Sequence, residues 1–244
     1  MIVLFTDFGV SGPYVGQMKA VLAREAPDLP VIDLMHDAPA FDPRLSAYLL
    51  AAVAEPFPAD AVFLCVVDPG VGGPRAPVVA EVDGRRFVGP DNGLFEIVLR
   101  RAERAFLRTI DWRPEKLSAS FHGRDLFAPV AARLAAGREV ALSPGGTRFP
   151  DWPDELPEIV YVDAYGNAIT GLRAAALPED AHVLAGGRRI GRARTFSDMP
   201  EGGAFWYANS SGLVEIAVNR GSAAAILGLS PGVPFSVDRG TGAA

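Results

Sequence analysis

A chain of 244 residues with 49% apolar and 21% charged side chains can form one large domain or two modest ones, and its composition is that of a globular protein rather than a disordered one. The net charge of -6, with Lys and Arg scattered singly or in pairs, leaves no clustered basic surface and argues against a nucleic-acid partner. The single cysteine, Cys65, excludes an internal disulfide and a thiolate metal cluster, and the longest fully apolar run, 47–54, is far short of the roughly 18 residues of a membrane span.

In chain order, residues 2–5, 31–34 and 61–67 predict strands. Between them, Val15, Met18, Val21 and Leu22 share one face of a helix, and Leu45, Tyr48, Leu49 and Val53 share one face of another. Short apolar runs alternating with helical patterns predict an α/β domain with a mainly parallel sheet. Residues 78–82 and 85–88 flank Asp83-Gly84, a pair that tolerates the positive φ of a tight hairpin turn. A helix over about 125–136, closed by Gly137, is expected next, with Pro129 weakening only its first turn.

Residues 143–157 hold four prolines and two glycines, too many for a helix or a central strand. The expected division is an N-terminal α/β domain over 1–145, a linker over 146–157 and a smaller C-terminal domain over 158–244. In the last of these, short β-like runs at 158–162, 182–184 and 213–218, split by turns such as Gly186-Gly187, predict a small antiparallel β-barrel or sandwich. The tail 240–244 reads as disordered. No cationic leader precedes Ile2, so a reducing cytoplasm is the expected compartment.

In an open α/β sheet, ligands collect at the carboxyl ends of the strands. The loops Thr6-Asp-Phe-Gly9, Asp68-Pro-Gly-Val-Gly72 and Pro90-Asp-Asn-Gly93 follow predicted strands there, each setting a carboxylate beside glycine. Taken singly, each is also an ordinary turn. None has the lysine and hydroxyl residue of a phosphate-binding P-loop, and no Gly-x-Gly-x-x-Gly follows the first strand, so a ligand without phosphates is favoured. His122 sits at a helix entrance, whereas His36 and His182 fit structural roles at strand ends; the three lack the spacing of a zinc site.

Together the loops resemble the S-adenosylmethionine hydroxide adenosyltransferases, hydrolase relatives of the fluorinating and chlorinating enzymes. The resemblance runs from residue 2 to about 229 and rests on Thr6-Asp-Phe-Gly9, Asp68-Pro-Gly-Val-Gly72 with Arg75, Pro90-Asp-Asn-Gly-Leu94, Phe121-His-Gly-Arg-Asp125, Asp163-Ala-Tyr-Gly-Asn167 and Asn209-Ser-Ser-Gly212. It implies hydrolysis of S-adenosyl-L-methionine to adenosine and methionine without metal or other cofactor. It also implies a homotrimer whose active sites lie between one subunit's first domain and its neighbour's second.

By the same resemblance, Asp68, Arg75 and His122 surround the attacking water and Asp7 holds the ribose diol. Asp163 and Asn167 grip the methionine end, Ser210 contacts its carboxylate, and Phe41 and Phe196 pack around the adenosine. The rival readings are a halogenase of the same fold and a non-catalytic sensor of adenosine or S-adenosylmethionine. Against the first, the halogenating relatives carry Tyr, Thr and Ser where this chain has Asp68, Val71 and Gly123, and a carboxylate at 68 repels a halide. Against the second, a sensor has no use for Asp68, Arg75 and His122 together. Ser211 departs from the halogenases, which have arginine there, and so implies fewer contacts to the methionine carboxylate.

Overall fold

In the computed structural model, which describes residues 1–239, the strands β1 (Ile2–Thr6) and β3 (Val62–Val66) are buried at every position. That matches their unbroken apolar sequences, since a parallel strand covered on both faces has no polar side to alternate with. Helix α1 (Tyr14–Glu25) leads from β1 to β2 (Val31–Met35), and α2 (Pro43–Val53) leads from β2 to β3. Asp42 starts α2 by accepting the Leu45 N–H at 2.9 Å, and Pro43 supplies a preset φ in the first turn.

The hairpin of β4 (Pro77–Val82) and β5 (Arg85–Pro90) turns at Asp83 and Gly84, whose φ values of 48° and 93° are the positive pair the sequence predicts. Then come α3 (Glu96–Arg101), β6 (Ala105–Ile110), α4 (Ala128–Ala135) and the short strand β7 (Leu142–Pro144). One seven-stranded sheet results, ordered β2-β1-β3-β5-β4-β6-β7, with the first four strands parallel and the rest antiparallel.

The helix expected to begin near 125 starts earlier, as a π-type turn over Gly123–Phe127 in which Ala128 N–H reaches back to the Gly123 carbonyl. Pro129 then falls in the first turn of α4, directly after this π-type turn. Such wide turns commonly mark functional sites, and this one begins directly after His122.

The chain divides into two compact units, Met1–Pro150 and Asp151 onward. Residues 147–149 are fastened within the first: Thr147 bonds Asp91 through its N–H and its hydroxyl, while Arg148 and the Phe149 N–H bond the buried Glu96.

In the second unit, β8 (Leu156–Val162), β9 (Ala168–Arg173), β12 (Ala204–Ala208) and β13 (Leu213–Val218) form an antiparallel sheet ordered β12-β13-β9-β8. Strands β10 (His182–Ala185), β11 (Arg188–Ile190) and β14 (Ser236–Asp238) form another, ordered β11-β10-β14, and the short helix α5 (Ala223–Leu227) packs beside β13. β8 begins two residues before the expected 158 and includes Pro157, which an edge strand with an irregular ladder accommodates. The expected barrel takes the form of these two sheets, joined end to end by single bridges from Glu158 to Pro234 and from Arg192 to Trp206, an interrupted ring. Trp206 anchors the interior, fully buried, its indole N–H donating to the Ala181 carbonyl at 3.0 Å.

Among the described residues no helix is long and apolar enough to cross a membrane. The tail 240–244, expected to be disordered, lies outside the described residues.

Candidate functional site

The loop leaving β1 is pinned from below. Thr6 Oγ1 lies 2.8 Å from His36 Nδ1, and the Gly9 N–H donates to the His36 carbonyl at 2.6 Å, so the loops after β1 and β2 are tied together. This gives the buried His36 the structural role its sequence position suggests. The tie holds Asp7 at the strand's carboxyl end, where its Oδ2 accepts the Phe41 N–H at 3.1 Å. Burial pushes the Asp7 carboxyl above its usual range, against the opposing pull of its backbone hydrogen bonds, with a small further push from Asp68. Phe41 is 78% exposed with φ of 59°, a strained left-handed conformation for an aromatic residue.

The loop leaving β3 carries Asp68. Asn92 Nδ2 donates to the Val67 carbonyl at 2.9 Å, fixing the strand's end, which is the local use of the Asp-Asn-Gly turn after β5. Gly72 has φ of 77°, and a Cβ there would stand 2.5 Å from the Ala119 carbonyl oxygen. Only glycine lets the Asp68 loop lie against the segment leading to His122.

Arg75 then joins the two. Its Nε donates to both Asp68 oxygens at 3.0 and 3.1 Å, its Nη2 donates to Asp68 Oδ2, and the same Nη2 stands 2.9 Å from His122 Nδ1. The guanidinium rests on the face of Phe127, 5.2 Å from the ring centroid. A guanidinium has no acceptor, so His122 Nδ1 accepts and its ring proton sits on Nε2. Burial, and next the Arg75 charge, hold the His122 pKa below its ordinary value and keep the ring neutral.

These residues surround a hollow of about 660 Å³ lined by Asp7, Phe41, Asp68 and His122, a volume within the range of small-ligand pockets. Phe8, Tyr14 and Phe121 build one wall by edge-on and tilted ring contacts at 5.4 to 6.0 Å. Arg124 lies over Phe121 and is paired with Asp125. The aromatic wall has no signal in a single sequence, because Tyr14 and Phe121 are 107 residues apart and either reads as core.

The second unit has a hollow of its own, about 860 Å³, which the other predicted residues line: Asp163, Asn167, Phe196 and Ser210. Asp163 Oδ1 accepts the Tyr165 and Asn167 N–H groups at 2.9 and 2.8 Å, and its Oδ2 accepts Asn167 Nδ2 at 3.0 Å. The two residues thus hold each other in one turn between β8 and β9. Gly166 in that turn has φ of 83°, with its would-be Cβ 2.1 Å from Ser222 Oγ, so the turn sits flush on the start of α5. Phe196 packs edge-on against Phe205 and Tyr207. Glu215, Tyr207 and Asn209 also line this hollow; Asn209 opens a motif already singled out, whereas Glu215 and Tyr207, in mostly apolar strands, were not legible as site residues. Among the described residues, no three His, Cys, Asp or Glu side chains group as metal ligands.

A parallel-sheet unit whose strand-end loops bring a carboxylate, a guanidinium and a neutral imidazole over one hollow, followed by an antiparallel unit with a second polar hollow, defines a two-unit protein for a small polar ligand. The chain belongs to the SAM hydroxide adenosyltransferase family: the family's N-terminal domain model matches residues 2–143 and its C-terminal domain model residues 157–236. It is 44% identical to an (R)-S-adenosyl-L-methionine hydrolase of Thermus thermophilus, over 96% of this chain and 97% of the relative. A relative of the same name from Salinispora arenicola is 40% identical over 96% of each chain. An uncharacterized conserved protein of Thermotoga maritima, solved by crystallography, superimposes with a TM-score of 0.84 at 33% identity, covering 98% of this chain and all of that one.

Proposed function

We propose that this protein hydrolyses S-adenosyl-L-methionine to adenosine and L-methionine by in-line attack of water at ribose C5′, and that its substrate is the (R) sulfonium epimer named for its relatives. The observation that carries the reading is the contact of Asp68 and Arg75, both in the loop after β3, with His122 from a segment 47 residues beyond Arg75, beside a ligand-sized hollow that Asp68 and His122 line. As the C5′–O bond forms and the C5′–S bond breaks, the sulfonium leaves as a neutral thioether and water loses one proton. Positive charge vanishes along the reaction, so exclusion of bulk water favours the step. Alignment of water opposite the C–S bond supplies much of the rest, with effective molarities of roughly 10⁵ M or more in well-oriented systems.

The hydrogen-bond directions favour one division of labour. His122, with its proton on Nε2, donates to the water oxygen and orients it. Asp68 accepts the departing proton, and Arg75 holds both partners in place and stabilises hydroxide character by its fixed charge. Asp7 offers a carboxylate to the ribose diol, and Phe41 covers the nucleoside. Phe196 joins Phe41 in covering the adenosine, and Asp163, Asn167 and Ser210 take the methionine end. The assembly is a homotrimer in which each active site draws on the first unit of one subunit and the second unit of its neighbour, working in the cytoplasm. Its lone cysteine is buried, in keeping with that compartment.

The test is incubation of the purified protein with each sulfonium epimer, with and without chloride or fluoride, and identification of products by chromatography and mass. Adenosine and methionine from the (R) epimer, independent of halide, are expected. A 5′-halo-adenosine overturns the reading in favour of a halogenase, and binding without turnover overturns it in favour of a sensor.

A further inference from the structure

Glu215 is the one carboxylate in β13, a strand buried at all six positions, and it is itself only 5% exposed. It has no cationic partner among its hydrogen bonds. Tyr207 OH donates to its Oε1 at 2.5 Å from the cross-strand position, and Asn209 Nδ2 donates to its Oε2 at 3.0 Å. Each partner leads to a different wall of the second-unit hollow. The Asn209 side chain continues the chain of bonds: its Oδ1 accepts the Ser211 and Leu213 N–H groups, both at 3.0 Å, and so fixes the turn that presents Ser210. Tyr207, held by its hydroxyl, packs its ring edge-on against Phe196 at 5.5 Å.

The geometry points to Glu215 as a positioning residue for substrate binding, acting through Asn209 on the Ser210 turn and through Tyr207 on Phe196. This rests on the proposed function, in which Ser210 and Phe196 meet the substrate. Two features distinguish it from a purely structural group. The carboxylate lines the hollow, and burial pushes its pKa up despite the two donors, with Asp163 adding to the rise, so its ionised form is unfavourable to the fold. A buried carboxyl whose ionisation is disfavoured and which organises two walls of a ligand pocket is a feature of sites rather than of cores.

The test measures KM and kcat for S-adenosylmethionine, adenosine binding by calorimetry, and Tm, in the wild type and in Glu215→Gln, Glu215→Ala and Tyr207→Phe. Glu215→Gln keeps the shape and removes the charge. It retains the bond from Asn209 through its carbonyl oxygen while its amide faces the Tyr207 hydroxyl. The expected result is a graded rise in KM and weakening of adenosine binding, about tenfold for Glu215→Ala and less for Glu215→Gln, the size of one lost charge-assisted hydrogen bond. Over the same series kcat stays within about twofold and the Tm of Glu215→Gln does not fall below the wild type. Unchanged KM and adenosine affinity in both Glu215 variants overturns the inference, as does a fall in Tm that accounts for the whole loss. Wild-type protein without hydrolytic activity instead overturns the proposed reaction, and the adenosine affinities still decide the role of Glu215.

Discussion

At the level of single residues, the Asp68, Arg75 and His122 contacts make distinct predictions. Replacing Asp68 or His122 by alanine is expected to lower kcat by about 10² to 10⁴-fold while leaving the circular dichroism spectrum and substrate binding largely intact, the usual size of a lost proton-transfer or water-orienting group. Full activity in both variants removes the water site from this hollow. Arg75 also sets the titration of His122. The folded ring is held below its ordinary value, first by burial and next by the Arg75 charge, so it stays neutral as the pH drops past about 6.5 and becomes charged only below that. Protonation turns Nδ1 into a donor facing Arg75 and breaks the contact that aims the ring, so activity is lost on acidification. Arg75→Gln removes the positive charge, raises the His122 pKa and moves the acid limb of kcat/KM to higher pH. The pH profile and the His122 ring-proton resonances report this together, and an unmoved limb severs the link between the two side chains.

At the level of elements, the first unit depends on two close approaches, and the site on one of them. Gly72→Ala sets a Cβ against the Ala119 carbonyl and demands a positive φ from alanine. More than about 1 kcal/mol of stability is expected to be lost, along with activity, since the Asp68 loop must part from the segment before His122. Urea unfolding measures the first and turnover the second. The other approach is that of residues 147–149 to α3. Burial pushes the Glu96 carboxyl up, but hydrogen bonds from Arg148, the Phe149 N–H and Arg100 outweigh it and hold the group below its usual range. A carboxylate with a depressed folded pKa contributes stability above the unfolded value near 4.3, and that contribution is lost as pH falls through the folded one. Glu96→Gln should cost about 1 to 3 kcal/mol at neutral pH and flatten this acid dependence. Equal urea midpoints for variant and wild type across pH 3 to 7 rule out that anchoring.

The elements themselves were unequally legible. β1 and β3 could be read because strands buried on both faces are written as unbroken apolar runs, and the β4–β5 turn because Asp-Gly suits the left-handed region. Strands such as β6, mostly half-buried with an exposed Phe106 and a single charged residue, Arg108, and β11, with its two exposed arginines, carry no such pattern. β6 is placed by β4 and β7, both distant in sequence, and β11 by the hairpin it makes with β10.

At the level of the whole molecule, the proposed trimer predicts complementation. Mixing a His122→Ala protein with an Asn167→Ala protein, each nearly inactive alone, should after subunit exchange restore activity, because some mixed sites then carry neither substitution. Sedimentation of the wild type gives the subunit number alongside. Absence of rescue in verified mixed oligomers places each site within one chain.

By itself the sequence determined the α/β then antiparallel order of the chain, the loops that bear carboxylates and the family to which those loops belong. Periodicity and turn chemistry are local, and six short motifs in a fixed order are specific. Only the tertiary structure decided that Arg75 joins Asp68 to His122, which ring nitrogen of His122 faces it, and that Asp163 and Asn167 hold each other. It also decided that Glu215, one carboxylate in an apolar strand, braces two walls of a hollow. Those facts depend on hydrogen-bond direction, on the orientation of side chains within a turn or hairpin and, for His122, on a contact between residues far apart along the chain, and none of these is encoded in spacing.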